Sequence, residues 1–125
     1  MDTNTYSKLA LRTANDLGEQ GNLLHATLLI SSESGEVAGA VKKHFAYGRK
    51  LDRTHLIEEL GDLAWGINLM LRCIDSSWEE IFEVNISKLS ARYPSLRFDA
   101  NNAINRDKEM EQAVIGVAVK NISGG

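Results

Sequence analysis

Six apolar residues, Leu56, Leu60, Leu63, Ile67, Met70 and Ile74, recur at steps of four, three, four, three and four. That alternation marks a helix whose neighbour lies nearly parallel to it. A second helical pattern runs through Ile30, Ser34, Val37, Val41 and Phe45. Each pattern contains a short acidic string, Glu33-Ser34-Gly35-Glu36 in one and Glu58-Glu59-Leu60-Gly61-Asp62 in the other. Glu33 and Glu36 stand three residues apart, as do Glu59 and Asp62, so each pair shares one helix face, a turn apart. Four carboxylates gathered this way repel one another, and protonation or cations must relieve the repulsion. The pattern therefore predicts two packed helices whose acids hold divalent metal.

The rest of the chain also reads as helix. Residues Thr5 to Leu17 form a first helix with a weak stripe of Leu9, Leu11 and Ala14, closed by Gly18 and Gly21. Asn22 is the expected cap of a second helix from Leu23 to about Phe45. Residues 46 to 53 read as a basic loop, after which Thr54 caps the third helix. Ser77-Trp78-Glu79-Glu80 matches a capping box and opens a fourth, which Pro94 stops after Tyr93. Leu96 to Asp99 reads as a turn that tucks Phe98 back onto the bundle. Lys108 to Ala113 favours a helix, whereas the β-branched run from Val114 to Val119 favours a strand. Ser123, Gly124 and Gly125 are expected to fray.

Four glycines, Gly35, Gly39, Gly61 and Gly66, fall inside helical patterns. Each costs roughly 1 kcal/mol against alanine there, so something must offset it. Close approach of two backbones is one offset. It is expected most at Gly35 and Gly61, which lie between the paired acids; packing alone accounts equally well for Gly39 and Gly66.

A chain of 125 residues has room for one domain and one core. The pattern divides it into a helical domain of residues 1–107 and a C-terminal extension of residues 108–125, packed on the domain or frayed. The net charge of −3 disfavours a nucleic-acid coat but not a small phosphorylated ligand held by local cations. No apolar run approaches a membrane span, and the polar start lacks a leader pattern, so a cytoplasmic protein (host cytoplasm if viral) is expected. The single Cys73 is expected to be a buried packing residue.

Oxygen-only ligands select hard cations, which makes magnesium the natural choice and manganese a plausible one. A di-iron bundle would need Glu-x-x-His pairs, and none of His25, His44 and His55 stands three residues after Glu33 or Glu59. An isolated E-x-x-E is ordinarily a solvated face; two such pairs on adjacent core-facing helices are much rarer. Lys88 and Arg92 are four apart on the fourth helix and form a candidate phosphate clamp. Asn85, a turn earlier, could donate to a phosphate. Arg49, Lys50 and Arg53 either close over an anion or offset the acids. Trp65, three residues after Asp62, is a stacking platform for a base or a core residue. His25, Ser32, Trp65 and Asn68 are candidates for reading the base, which the sequence does not rank.

Four strings taken together resemble the MazG-like nucleoside triphosphate pyrophosphohydrolases of the all-α NTP pyrophosphatase superfamily. They are Glu33 to Val37, Glu58 to Trp65, the Asn85-Ile86-Ser87-Lys88-Leu89-Ser90-Ala91-Arg92-Tyr93-Pro94 segment, and Asn105-Arg106-Asp107. The resemblance covers roughly His25 to Asp107. It implies cleavage between the α- and β-phosphates to give a nucleoside monophosphate and pyrophosphate. It assigns magnesium to Glu33, Glu36, Glu59 and Asp62, and phosphate to Lys88 and Arg92. It further implies a homodimer or homotetramer, with sites near subunit contacts. Ser31 and Ser34 depart from an alanine common among relatives, and the stretch after Asp107 extends past the usual motif. The single-domain form resembles phage and short bacterial members that control dNTP pools, and suggests a guanine deoxynucleotide. The expected architecture is an oligomeric all-α bundle of four main helices. Alternatives are a non-catalytic helical oligomer that senses nucleotides and a coiled-coil-like interaction module.

Overall fold

The computed structural model describes residues 1–124, and every regular element in them is helical. The order is α1 (Thr3–Leu11), α2 (Gly18–Tyr47), α3 (Arg53–Cys73), α4 (Trp78–Arg92), α5 (Ala100–Ile104) and α6 (Lys108–Ser123). Residues Met1–Ser76 form one compact unit and Ser77–Gly125 a second. Among the described residues no helix is long and apolar enough to cross a membrane.

In the first unit α2 packs along α3, and α1 lies against α3. Side-chain oxygens set the helix starts. Asp2 accepts from the Thr5 N–H at 2.7 Å, and Asp52 accepts from the His55 N–H at 3.0 Å. Asp52, not Thr54, is thus the cap of α3. Helix α1 ends at Leu11 rather than Leu17, and the two glycines expected to close it lie at the start of α2 instead. Gly18, at φ +79°, takes the left-handed conformation that lets the chain turn there. Asn22 lies within α2, where its Oδ1 accepts from the Leu17 N–H and its Nδ2 donates to Asp16. Gly48, at φ +63°, ends α2 two residues into the expected basic loop.

The buried faces follow the apolar seams read in the sequence only in part: Ile30, Val37 and Val41 on α2 and Leu56, Leu63, Ile67 and Met70 on α3 are half-buried. On α2, Phe45 is 81% exposed and Ser34 is exposed, while Ala26 is fully buried. On α3, Leu60 and Ile74 are about half exposed, while Glu59, Gly66, Asn68, Leu69 and Leu71 are buried. Of the glycines within α2 and α3, Gly66 is the one at which the other helix comes close. A Cβ there would stand 3.2 Å from the Leu29 Cβ and 3.3 Å from the Ile30 backbone nitrogen. Gly35, Gly39 and Gly61 face open space, so close approach within the chain does not explain Gly35 and Gly61. Cys73 is half-buried rather than buried.

In the second unit α4 packs on α6. Ser77 caps α4 as its sequence foretells, its Oγ accepting from the Glu80 N–H at 3.1 Å. Asp107 caps α6 in the same way, accepting from the Met110 N–H. The β-branched run from Val114 to Val119 lies within α6, not in a strand. Lacking a neighbouring strand, it uses the helix begun at Asp107 and packs on α4, since tertiary contact overrides weak propensity. Phe98 is 80% exposed, its ring 6.1 Å from that of Tyr93, so it does not tuck into a core. Ser123 ends α6 in helical order, and the expectation of fraying at Gly125 lies outside the described residues.

Candidate functional site

The first unit brings acids of two helices together. Glu33 on α2 and Glu59 and Asp62 on α3 each offer a carboxylate oxygen, all within 4.8 Å of one another. Glu33 is half-buried, Glu59 buried and Asp62 exposed, so the cluster grades from the helix interface out to solvent. The i, i+3 spacing puts Glu59 and Asp62 on one face of α3, and α2 supplies the third oxygen from across the interface. Glu36, a turn further along α2, is exposed and does not join the trio. Its charge nevertheless registers at Glu59.

The Glu59 carboxyl is pushed up, mainly by burial and further by the negative charges of Glu36, Glu33 and Glu58. The nearby His55 acts in the opposite sense. His55 Nδ1 lies 3.4 Å from Glu59 Oε1 and 3.7 Å from Glu58 Oε2. It stands four residues before Glu59 on the same helix, a neighbouring position that the spacing alone could have revealed. Tyr6 on α1 also feels the cluster: burial and then the charge of Asp62 raise its phenol above the usual range. Three hard oxygens converging at this density fit magnesium or manganese, which bind through carboxylates and tolerate several waters.

At another place in the same unit His25 of α2 and Trp65 of α3 meet edge to face, their ring centroids 6.0 Å apart. The Trp65 indole N–H donates to Thr13 Oγ at 2.9 Å, which fixes the ring against the segment after α1. His25 Nδ1 is sealed from solvent without a hydrogen-bond partner, whereas Asn68 is buried and donates to the Ser7 carbonyl. Ser32 is exposed, with its Oγ 3.4 Å from Glu33 Oε1.

The second unit carries the candidate phosphate clamp, whereas Arg49, Lys50 and Arg53 belong to the first. Lys88 and Arg92 lie on α4, both half-buried, and Asn85 is exposed a turn before Lys88. Arg92 is engaged by Glu111 of α6: its Nε donates to Oε1 at 2.8 Å and its Nη2 to Oε2 at 3.2 Å. Arg106 donates to the same carboxylate. Glu111 is only 1% exposed, and these partners hold its carboxyl at about 2. Neither Glu111 nor its pairing with Arg92 is visible in the sequence, because nothing in the spacing links positions nineteen residues apart.

Neither a curated protein nor a solved structure gives a significant match to the chain. A family comparison does: residues 22–97 match the MazG nucleotide pyrophosphohydrolase domain. The matched stretch takes in the carboxylate trio, Glu36, Lys88 and Arg92, and stops before Arg106 and Glu111. With more than half of its length matched, and with acids of the α2–α3 pair converging as a cation site requires, this chain belongs to the MazG nucleotide pyrophosphohydrolase family.

Proposed function

We propose that the protein hydrolyses a nucleoside triphosphate, in a magnesium-dependent reaction, to the nucleoside monophosphate and pyrophosphate. The observation that carries this reading is the convergence of Glu33, Glu59 and Asp62 within 4.8 Å, in a chain of the pyrophosphohydrolase family. Glu33, Glu59 and Asp62 would hold magnesium, with Glu36 completing the set from the next turn of α2. Bound there, magnesium would neutralise triphosphate charge and make a water acidic enough to serve as nucleophile. Burial of Glu59 keeps its side chain fixed, so the cluster is preorganised at its inner edge. Lys88 and Arg92 supply positive charge for the departing pyrophosphate, the arginine by its fork and the lysine as a point charge.

His25 and Trp65 are proposed to bind the base. The edge-to-face pair of the two rings offers aromatic surface on which a heterocycle can stack. Asn85 is proposed as an auxiliary phosphate donor. A deoxynucleotide with guanine is the proposed substrate, and dNTP pool control of the phage-type kind the proposed role.

Self-association as a homodimer or homotetramer is part of the same reading. Large apolar side chains on α2 and α3 stand open to solvent, among them Leu24 at 60%, Leu28 at 58% and Leu60 at 51%. The apolar residues buried among those described are only Ala26, Leu69 and Leu71, a small core for a chain of this length. The test is a panel of all dNTPs and NTPs incubated with the protein and magnesium, products separated by chromatography. Monophosphate and pyrophosphate in equal amounts are expected; diphosphate and orthophosphate, or no turnover of any nucleotide, would refute the reading.

A further inference from the structure

The second unit contains a carboxylate that the family match does not reach. Glu111 lies fourteen residues past the end of the matched stretch, 1% exposed, and it binds two arginines. Its two oxygens face Arg92 side-on, taking one N–H on Nε and one on Nη2. A guanidinium has five N–H donors, so three lie outside this pair, including both on Nη1. An arginine held by its side edge keeps its end edge, the Nη1–Nη2 fork, for a second oxyanion.

The setting favours this use. The Arg92 side chain is 18% exposed, so it keeps some access to solvent although Glu111 occupies one edge of its guanidinium. Its Cζ lies 5.9 Å from the Tyr93 ring centroid, and the Tyr93 side chain joins Glu111 in favouring the charged guanidinium. The arithmetic of charge matters as well. Arg92 and Arg106 together carry two positive charges and Glu111 one negative, so the group keeps a net charge of one in favour of anions. Without the carboxylate the two guanidinium groups would repel each other and swing apart. Asp107, which caps α6, starts the helix so that Glu111 falls one turn in, against α4.

We propose that Glu111 is a positioning residue, holding Arg92 by its Nε–Nη2 edge so that the opposite fork is presented to the phosphates of the substrate. The proposal rests on the reading of Arg92 as a phosphate ligand. It makes α6 a working part of the enzyme and not an appendage.

The test is a double-mutant cycle of Glu111→Gln and Arg92→Ala, assayed with magnesium on the four dNTPs. Melting temperatures are measured first, so that each assay is run on folded protein. Glu111→Gln is expected to lower kcat/KM by about tenfold, the kinetic size of a mid-range coupling between contacting side chains. On the Arg92→Ala background the same change should alter kcat/KM by less than about twofold, since there is no longer a fork to aim. Equal losses on both backgrounds would overturn the proposal and leave Glu111 a purely structural group. An Arg92→Ala enzyme with full kcat/KM would instead remove Arg92 from phosphate binding, and with it the premise. Should Glu111→Gln not fold, Glu111→Asp, which keeps the charge but shortens the reach, is judged by the same criterion.

Discussion

Glu59 in the first unit and Glu111 in the second are both buried glutamates on helices, yet their acidities move in opposite directions. Glu111 receives three hydrogen bonds from two arginines, which lower its carboxyl to about 2 against the penalty of burial. Glu59 has a histidine beside it and the negative charges of Glu33, Glu36 and Glu58 around it, and its carboxyl rises. One carboxylate is satisfied by its own chain; the other is part of a repulsive acidic group, the one proposed above to hold magnesium. Burial by itself therefore says little about role. The sign of the uncompensated charge separates a structural acid from a ligand-binding one.

The sharpest way to break this contrast is to neutralise the acids of the first unit. Asp62→Asn and Glu36→Gln are each expected to abolish turnover while the far-ultraviolet circular dichroism stays helical. In the unaltered protein, magnesium at a hundred times its Kd should raise stability by about 2.7 kcal/mol, seen as a higher melting temperature. That rise should vanish in Asp62→Asn, whose metal-free form should melt no lower than the parent because one repelling charge is gone. Full activity in either variant would take its residue out of the mechanism.

Acid distinguishes the second unit. Because the folded-state pKa of Glu111 is depressed from 4.5 to about 2, its pairing stabilises fully above the unfolded value. That contribution is lost as pH falls from about 4.5 through about 2, where the carboxyl protonates and releases Arg92 and Arg106. Melting followed from pH 7 to pH 2 should show a loss in this window that Glu111→Gln lacks, since the variant is already weakened at pH 7. An identical acid profile in both would mean that the pair contributes nothing to stability.

Caps provide a smaller and more even comparison. Asp52→Ala in the first unit and Asp107→Ala in the second should each cost about 1 kcal/mol in denaturant unfolding. The Asp107 change alone should also loosen the Glu111 pair, because it frees the turn that sets the register of α6. Equal effects on the acid profile from both would erase that distinction.

What the sequence makes legible follows from the range of the interactions. Helix starts at Ser77, and the pairing of Glu59 with Asp62 on one face, depend on residues three apart and are read directly. The faces of α2 and α3 are legible only in part, because buried Glu59 and Asn68 count as polar in any apolar pattern, while exposed Leu60 and Phe45 count as core. A buried acid and apolar groups standing in solvent both invert the usual rule. The run of valines in α6 misleads for a different reason: its partner is α4, distant in sequence, and local propensity carries no trace of it. The carboxylate that binds Arg92 is hidden for the same reason, whereas the family strings around Lys88 and Arg92 are plain in the sequence.

The glycines give the finest test, because the same substitution should change sign from site to site. Alanine at Gly66 would place its Cβ 3.2 Å from Leu29 and 3.3 Å from the Ile30 backbone, and a backbone atom cannot step aside as a side-chain tip can. The strain should exceed the gain in helix propensity of roughly 1 kcal/mol, so Gly66→Ala should destabilise. Gly35 and Gly61 meet nothing within 4 Å, so alanine there should stabilise an isolated chain by up to about 1 kcal/mol. If a second copy covers this surface, as the exposed Leu28 and Leu60 support, the added methyl groups would instead obstruct association. Unfolding measured across a dilution series separates the cases: Gly61→Ala should gain stability at low concentration and lose it at high concentration. A gain at every concentration would leave these two glycines without a partner surface, and a stabilised Gly66→Ala would show that α2 and α3 are not in close contact at that point.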